Sequence, residues 1–447
     1  MENLNKIAPY QNVSEIITNN CLNPNEPFHF GIEFLDKYFD EISKYSYADF
    51  RQIEMVGLRN FAMLLCYGGL EDILAFNTLD MSPSGSGKSF NHDLQKELIL
   101  SPMIAELDEK EKQKRIDKKS NNKMLKVYKC YHNGTSTSPQ FFLRCASQTP
   151  VQMIFFDEFG RALKSSNAKN IIDFCIANWS KNILTTPSEH KNYLHGEAQN
   201  IKCKIFCAMN TSLAYLGKKT YIDELAGGLL NRPINYCAKE VIDKDYVLEL
   251  EDDVKTKIIE QSKKILEFAT SFNNIKLIKN QIDTHQITKQ YNILIKEYRD
   301  SYKNIYQEYF SRVKYNYKAI LITLHYLREF DFYTNHPDYI PSVRIDNECF
   351  EKAYYFMLNY IENFEVIVNE LEDKAKLKDG RLDKILRKIK EFEDSKKLPI
   401  PFSKLGAFIR PKLKADDIKN LIIRYVVSKD SSIIRLNDAG NKKINNA

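Results

Sequence analysis

Residues 82–89 read Ser-Pro-Ser-Gly-Ser-Gly-Lys-Ser, a glycine-rich turn that closes on Gly-Lys-Ser. Glycines let several main-chain N–H groups approach one anion, which suits the multiple charges of a triphosphate. In such a loop Lys88 reaches the outer phosphates and the Ser89 hydroxyl binds Mg²⁺. The turn therefore predicts a site for ATP and Mg²⁺. The expected amide donors are Ser84, Gly85, Ser86 and Gly87.

The loop departs from the usual pattern G-x-x-x-x-G-K-[ST] at its first position, where this chain has Ser82. Its surroundings favour the motif nonetheless, because residues 77–81 are typical of a buried strand and residues 90–100 of a helix. The alternative is an ordinary Ser/Gly/Pro surface turn.

A second motif follows 69 residues after Lys88. Residues 151–156 form an apolar run typical of a buried parallel strand, and Asp157 and Glu158 come directly after it. The carboxyl ends of parallel strands are where open α/β sheets hold their ligands. We expect Asp157 to hold Mg²⁺ and Glu158 to polarise the water that attacks the γ-phosphate. The alternative is a strand followed by a solvated acidic turn.

Two further positions fit the same chemistry. Residues 201–210 are typical of another core strand, and its terminal Asn210 would orient the attacking water; such an Asn is also a common turn opener. Arg232 follows a Gly-Gly-Leu-Leu-Asn segment and would act as an arginine finger on the phosphoryl group bound by a neighbouring subunit. A solvated surface arginine is the alternative.

These motifs together resemble the P-loop ATPases of phage, plasmid and mobile-element replication modules, which are helicase domains related to superfamily 3 and AAA+ proteins and are often associated with a primase. The resemblance covers residues 30–370 and rests on the loop 82–89, on Asp157 to Gly160, on Asn210 and on Leu229 to Arg232. It implies a homo-oligomeric ring, a hexamer, with ATP between subunits and DNA in the central channel.

Superfamily 3 relatives also place a DNA-contacting hairpin just before the strand that ends at the sensor residue. The matching stretch here is residues 188–197, in which His190 and Lys191 are the expected phosphate contacts. A solvated surface loop is the alternative.

Composition places the chain among ordinary globular proteins. Of its 447 residues 43% are hydrophobic and 28% charged, which suffices for two or three domains with cores of their own. The nine cysteines show no paired C-x-x-C spacing, so neither zinc nor a disulfide framework is expected. Because the chain also lacks a secretory pattern and a long apolar span, we expect a cytoplasmic protein.

The basic charge lies at the carboxyl end. Residues 374–447 hold 20 Lys and Arg against 9 Asp and Glu, a net charge of +11, whereas the whole chain carries +6 and the remaining residues therefore carry −5. This distribution is typical of a segment that contacts nucleic-acid phosphates.

The same segment shows a winged-helix pattern. We expect Gly380 to end the preceding helices, helices over 382–392, 402–409 and 415–427, and then a hairpin whose turn spans 428–432. A module that docks a protein is the alternative. The expected DNA contacts are Lys412, Lys414, Lys419, Lys429 and Arg435.

The sequence thus predicts an α/β P-loop NTPase core with a helical cap, a helical lid and a carboxyl-terminal winged helix-turn-helix. The expected ranges are an arm and cap over 1–69, the core over 70–250, the lid over 251–375 and the winged helix over 380–447. We expect an ATPase that acts as a replicative helicase or initiator on DNA, with host replication proteins as further partners. The alternatives are an ATP-switched helicase loader or origin-binding protein, and a phage-defence or regulatory ATPase whose winged helix docks a protein.

Overall fold

A computed structural model describes residues 24–117, 127–179, 183–184, 201–238, 241, 247–272, 307–336, 339–342, 344–345, 347–396, 400–401, 426–430 and 433–436. Within these ranges the chain is an α/β protein built on a five-stranded parallel sheet. The described residues divide into two compact units, one up to Ile367 and one from Val368 onward.

The sheet has the order β2-β3-β6-β1-β7, and all of its strand pairs are parallel. Its central strands are buried along their whole length, which explains their nearly continuous apolar sequence. Each fully buried Leu, Ile or Phe contributes roughly 1.5–3 kcal/mol. The strands are β1 (Thr78–Asp80), β2 (Tyr131–Asn133), β3 (Val151–Phe156), β6 (Lys204–Asn210) and β7 (Ile234–Tyr236).

The expected strands at 77–81 and 151–156 and the helix at 90–100 are confirmed, with bounds Thr78–Asp80, Val151–Phe156 and Lys88–Ile99. The single strand expected over 201–210 is instead two strands separated at Cys203. The first, β5 (Ile201–Lys202), pairs antiparallel with β4 (Ile183–Leu184), whereas β6 joins the parallel sheet. The chain therefore changes sheets at Cys203, because each strand has a different pairing partner.

Helices surround this sheet. Helix α2 (Phe50–Tyr67) begins with a capping box in which Asp49 accepts a hydrogen bond from the Gln52 N–H and the Gln52 side chain accepts one from the Asp49 N–H. All but its first and last residues are buried, so the helix is enclosed by its neighbours. The helices of the first half are α1 (Glu33–Ser43), α2 (Phe50–Tyr67), α3 (Lys88–Ile99), α4 (Ser101–Asp117), α5 (Pro139–Ala146), α6 (Phe159–Ala162), α7 (Ser166–Asn178), α8 (Leu213–Leu216) and α9 (Lys218–Ala226).

The second half of the first unit is helical, as the sequence predicts. Its helices are α10 (Asp252–Ser271), α11 (Gln307–Asn335) and the first part of α12 (Asn347–Lys396), whose residues from Val368 onward belong to the second unit. Tyr309 is fully buried and stacks on Phe364 with 4.4 Å between ring centroids, so this tyrosine is a packing residue. None of the helices in the described ranges combines the length and the apolar character needed to cross a bilayer.

The predicted break at Gly380 is wrong, since α12 continues through Gly380 to Lys396. A glycine inside a helix costs only about 1 kcal/mol relative to alanine, and the flanking Lys, Leu and Arg residues are good helix formers.

The second unit ends in a three-stranded antiparallel sheet of order β8-β10-β9. Its strands are β8 (Ile400–Pro401), β9 (Val426–Asp430) and β10 (Ile433–Leu436). The expected hairpin pairing is confirmed, but the turn is shorter than predicted because residues 428–430 belong to β9. The helix predicted over 415–427 is wrong at its end, since Val426 and Val427 are in β9. Residues 402–425 lie outside the described residues.

Candidate functional site

The glycine-rich loop, residues 82–87, joins β1 to α3 at the carboxyl edge of the sheet. Gly85 and Gly87 have φ values of +89° and +73°, a backbone conformation that side-chain-bearing residues rarely adopt. A Cβ at Gly87 would also lie 2.9 Å from the Ala48 nitrogen. Glycine at position 87 therefore meets both a conformational and a packing requirement, and Gly87 starts the twelve-residue helix α3 with its free N–H groups at the loop.

Ser82, the departure from the usual pattern, is fully buried and has a structural role. Its hydroxyl accepts a hydrogen bond of 2.9 Å from the Ala238 N–H, just beyond β7. Its own N–H donates to Oδ1 of Asp80 at 3.0 Å. A glycine at this position would lose the first of these bonds, so Ser82 attaches the start of the loop to the edge strand.

Lys88 is half-buried and its Nζ donates to the main-chain oxygens of Ser82 (2.7 Å) and Pro83 (2.8 Å). Burial lowers the pKa of Lys88, while the nearby carboxylates of Asp80, Asp157 and Glu158 oppose that shift. The ammonium group thus lies over the loop in a negatively charged setting and is held by neutral carbonyl groups that an anionic ligand can replace.

Two buried polar residues, Asp80 and Gln52, support the loop, and neither was predicted from the sequence. Asp80 ends β1, and its Oδ2 accepts a hydrogen bond of 2.7 Å from the Gln52 side chain, which also lies 3.4 Å from the Ser86 hydroxyl. Burial raises the pKa of Asp80. Gln52 is the same residue that completes the capping box of α2, so one side chain fixes both a helix start and the loop.

The acidic pair lies where the sequence predicts, directly after β3. The Ser89 hydroxyl donates to Oδ1 of Asp157 in a short hydrogen bond. Glu158 forms an ion pair with Arg161, with 3.0 Å between Oε2 and Nε, and both side chains are more than half exposed. Two exposed partners exchange readily with solvent or ligand, so Glu158 is accessible for a role in the cleft.

Asn210 ends β6, which lies between β1 and β3. Its Cα pairs in register with Asp80, and this places it between the loop and the acidic pair. Its Nδ2 is buried and has no hydrogen-bond partner within the described part of the chain. An unpaired buried amide costs free energy, which a ligand oxygen at this position would recover.

Lys88, Ser89, Asp157 and Glu158 line one cleft of about 430 Å³, whereas Asn210 is not among its lining residues. Larger grooves of about 640 and 710 Å³ run along α10, but they are lined mainly by helix side chains and not by these strand-end polar groups. The cleft is lined by Ser84, Gly85, Ser86, Gly87, Lys88, Ser89, Phe90, Asp157, Glu158, Arg161, Thr211, Ser212 and Tyr215. Five of these residues were not predicted from the sequence, and only their nearness to a predicted motif offered a signal: Phe90, Arg161, Thr211, Ser212 and Tyr215.

The oxygen donors fit a magnesium ion. Mg²⁺ prefers one or two carboxylates together with hydroxyl, water and phosphate oxygens, and Ser89 and Asp157 supply a hydroxyl and a carboxylate that already touch. In the described ranges no group of three or more His, Cys, Asp or Glu side chains has the arrangement of an all-protein metal site. A site completed by ligand phosphates requires no such group.

Arg232 is not among the residues that line this cleft. Its Nη1 donates to the Gly228 carbonyl at 2.8 Å, and its own carbonyl accepts from the Asn316 side chain at 3.0 Å. Burial and the neighbouring Arg312 lower the pKa of Arg232. Its expected role concerns a neighbouring subunit and stays a prediction.

The predicted nucleic-acid contacts fall largely outside the described residues. That holds for His190, Lys191, Lys412, Lys414 and Lys419, while Lys429 and Arg435 lie on the paired strands β9 and β10. The described strands on either side of the segment with His190 and Lys191 pair with each other, Leu184 with Ile201.

Comparison of the chain with protein-family models, with curated proteins and with solved structures gives no match.

Proposed function

We propose that this chain is a Mg²⁺-dependent ATPase with a P-loop core that acts as a motor on DNA in the replication of a mobile genetic element. The single observation that supports the ATPase most is that Lys88, Ser89 and Asp157 line one cleft at the carboxyl edge of the sheet. Asn210, whose buried amide has no partner among the described residues, ends the strand between β1 and β3 at the same edge. If the two motifs were an ordinary surface turn and a solvated acidic turn, no shared ligand would require them to lie together.

The chemistry assigned to each residue follows from its position. Lys88 would exchange its carbonyl partners for phosphate oxygens, and the amides of the loop and of the α3 start would hold the rest of the polyphosphate. Ser89 and Asp157 would hold Mg²⁺, which when bound neutralises phosphate charge. Glu158 would leave Arg161 to accept the proton of the attacking water, and Asn210 would orient that water.

The action on DNA is supported by charge. The segment 374–447 carries +11 while the rest of the chain carries −5, and electrostatic attraction to phosphates supplies most non-specific DNA affinity. The antiparallel sheet β8-β10-β9 is compatible with the wing of a winged helix. We propose further that subunits form a hexameric ring in which Arg232 completes the site of its neighbour.

The ATPase rate with and without single-stranded DNA, together with a strand-displacement assay, tests the motor. Stimulation by DNA and ATP-dependent displacement are expected. A rate that is indifferent to DNA would contradict the action on DNA, and stimulation without displacement would favour a loader.

Mixing two inactive variants tests the ring. Lys88→Ala lacks its own site and Arg232→Ala lacks the finger, so mixed rings would contain some complete sites and regain activity. Mixtures that stay inactive while both variants assemble would contradict the role of Arg232 in its neighbour's site.

A further inference from the structure

Two aromatic side chains beside the phosphate loop are unusually exposed for large apolar residues. Phe90 is 50% exposed and Tyr47 is 41% exposed, whereas most of the described aromatic residues of the first unit are buried. Phe90 follows Ser89 in the first turn of α3 and lines the cleft. We propose that Phe90 and Tyr47 are the surface on which the base of a bound nucleoside triphosphate stacks, an inference that rests on the proposed function.

The two rings form one surface. Their centroids lie 6.3 Å apart with an interplanar angle of 69°, an edge-to-face arrangement that leaves ring faces for a further aromatic group. Tyr47 is fixed against the loop, since a Cβ built on Gly87 would lie 2.8 Å from the Cβ of Tyr47. Exposed aromatic area that is held rigidly costs little entropy when a ligand covers it.

The position of the pair fits the base end of the nucleotide. Ser89 and Asp157 mark the expected position of the metal and hence of the outer phosphates. Asn210 lies between the end of β3 and the loop. Tyr47 belongs to the segment before α2 and contacts the loop at Gly87, on an element that carries none of the acidic strand ends. A base at the opposite end of the polyphosphate from the acidic pair would therefore meet Phe90 and Tyr47.

Tyr215, the other exposed aromatic residue in the cleft, fits this role less well. Lys164 lies 4.4 Å from its ring centroid, and a Cβ built on Gly160 would meet its ring at 2.7 Å. Tyr215 is 45% exposed, so its area is comparable, but it lies against Gly160 and Lys164 beside the acidic pair and not beside the loop at Gly87.

The test compares a ligand that has a base with one that lacks it. Calorimetry on the full chain would measure binding of the β,γ-imido analogue of ATP and of tripolyphosphate, both with Mg²⁺. Stacking on one aromatic residue corresponds to roughly fivefold to 150-fold in affinity. Phe90→Ala and Tyr47→Ala should each lower the affinity for the analogue by a factor in about that range and change the affinity for tripolyphosphate less than about twofold. Phe90→Trp should keep the wild-type ratio of the two affinities.

Tyr315→Ala serves as the matched control, because Tyr315 is 44% exposed on α11 and should leave both affinities unchanged. The proposal would be overturned if Phe90→Ala lowered the affinity for both ligands equally, or if it left the affinity for the analogue unchanged. A loss confined to DNA affinity would also overturn it and would make the pair a DNA contact.

The wild-type chain separates this inference from the proposed function. Suppose that the wild type binds tripolyphosphate as tightly as the analogue and that Lys88→Ala binds neither ligand. The phosphate site is then supported, and the proposal that Phe90 and Tyr47 bind the base is overturned. If the wild type binds neither ligand, the proposed function fails and the base surface fails with it.

Discussion

Ser89 and Asp157 share a hydrogen bond although 68 residues separate them in the chain. The helix start that carries Ser89 and the strand end that carries Asp157 meet because parallel strands bring their carboxyl ends to one edge. The pair is the structural reason for assigning one metal-bound ligand to both motifs.

Removing the hydroxyl or the carboxylate should therefore act through the metal. We expect Ser89→Ala and Asp157→Asn to weaken the Mg²⁺-dependent binding of the ATP analogue by about tenfold to a hundredfold, as for hydrogen bonds to charged groups. Binding measured in excess chelator should hardly change. Equal loss with and without Mg²⁺ would contradict the assignment.

Asn210 offers a test in which stability and activity separate. Because its buried Nδ2 has no partner in the described chain, Asn210→Ala should leave the melting temperature nearly unchanged. A preorganised donor at a reacting group is worth roughly a hundredfold or more in turnover, so kcat should fall by about that factor while the analogue still binds. Unchanged turnover in a folded variant would remove Asn210 from the site.

Ser82→Gly restores the usual motif and should nevertheless harm this protein. The substitution leaves the buried Ala238 N–H without its 2.9 Å acceptor and makes the unfolded chain more flexible. We expect a loss of about 1–3 kcal/mol in the free energy of unfolding, measured by urea titration. Ser82→Ala, which removes the hydroxyl without adding flexibility, is the control and should retain most of that loss.

Asp49 should make stability depend on pH. Burial raises its pKa from 3.8 to about 7, although its side chain accepts a hydrogen bond from Tyr236 at 2.5 Å. The folded state therefore binds this proton more tightly than the unfolded state, so the contribution is full below pH 3.8 and is lost as pH rises through about 7.

The measurement is the difference in the free energy of unfolding between the wild type and Asp49→Asn. Asparagine is also a good N-cap but does not titrate, so the wild type should lose stability relative to Asp49→Asn as the pH rises from about 4 to about 7. Subtraction removes the titration of other groups, including His132, whose pKa burial lowers to about 4. A difference that does not vary with pH would refute the raised pKa.

The parts of the site that were predictable from sequence are those with local signals. A window of about ten residues is enough to predict the conformation of three elements: the glycine turn, the apolar run before Asp157 and the strand before Asn210. Gln52 and Asp80 carry no such signal, because their roles depend on a contact between a helix and a strand 28 residues apart. The role of Ser82 likewise depends on Ala238, 156 residues away.

The misjudged elements have two causes, one local and one tertiary. Gly380 was expected to end a helix on its intrinsic preference, which the neighbouring helix formers outweigh. The break at Cys203 follows from two different pairing partners, and the extension of β9 over 428–430 follows from its pairing with β10. Strand pairing of this kind is a tertiary property that a short sequence window does not contain.

The central claim is that Lys88 and Glu158 serve one nucleotide in two different ways, and paired measurements of analogue affinity and ATP turnover on two variants test it most directly. Lys88→Ala removes a phosphate-binding charge and should lower affinity by at least about thirtyfold. Glu158→Gln keeps the shape without the base, so it should bind like the wild type and hydrolyse ATP about a hundredfold or more slowly. Parental hydrolysis rates in both variants would contradict the account.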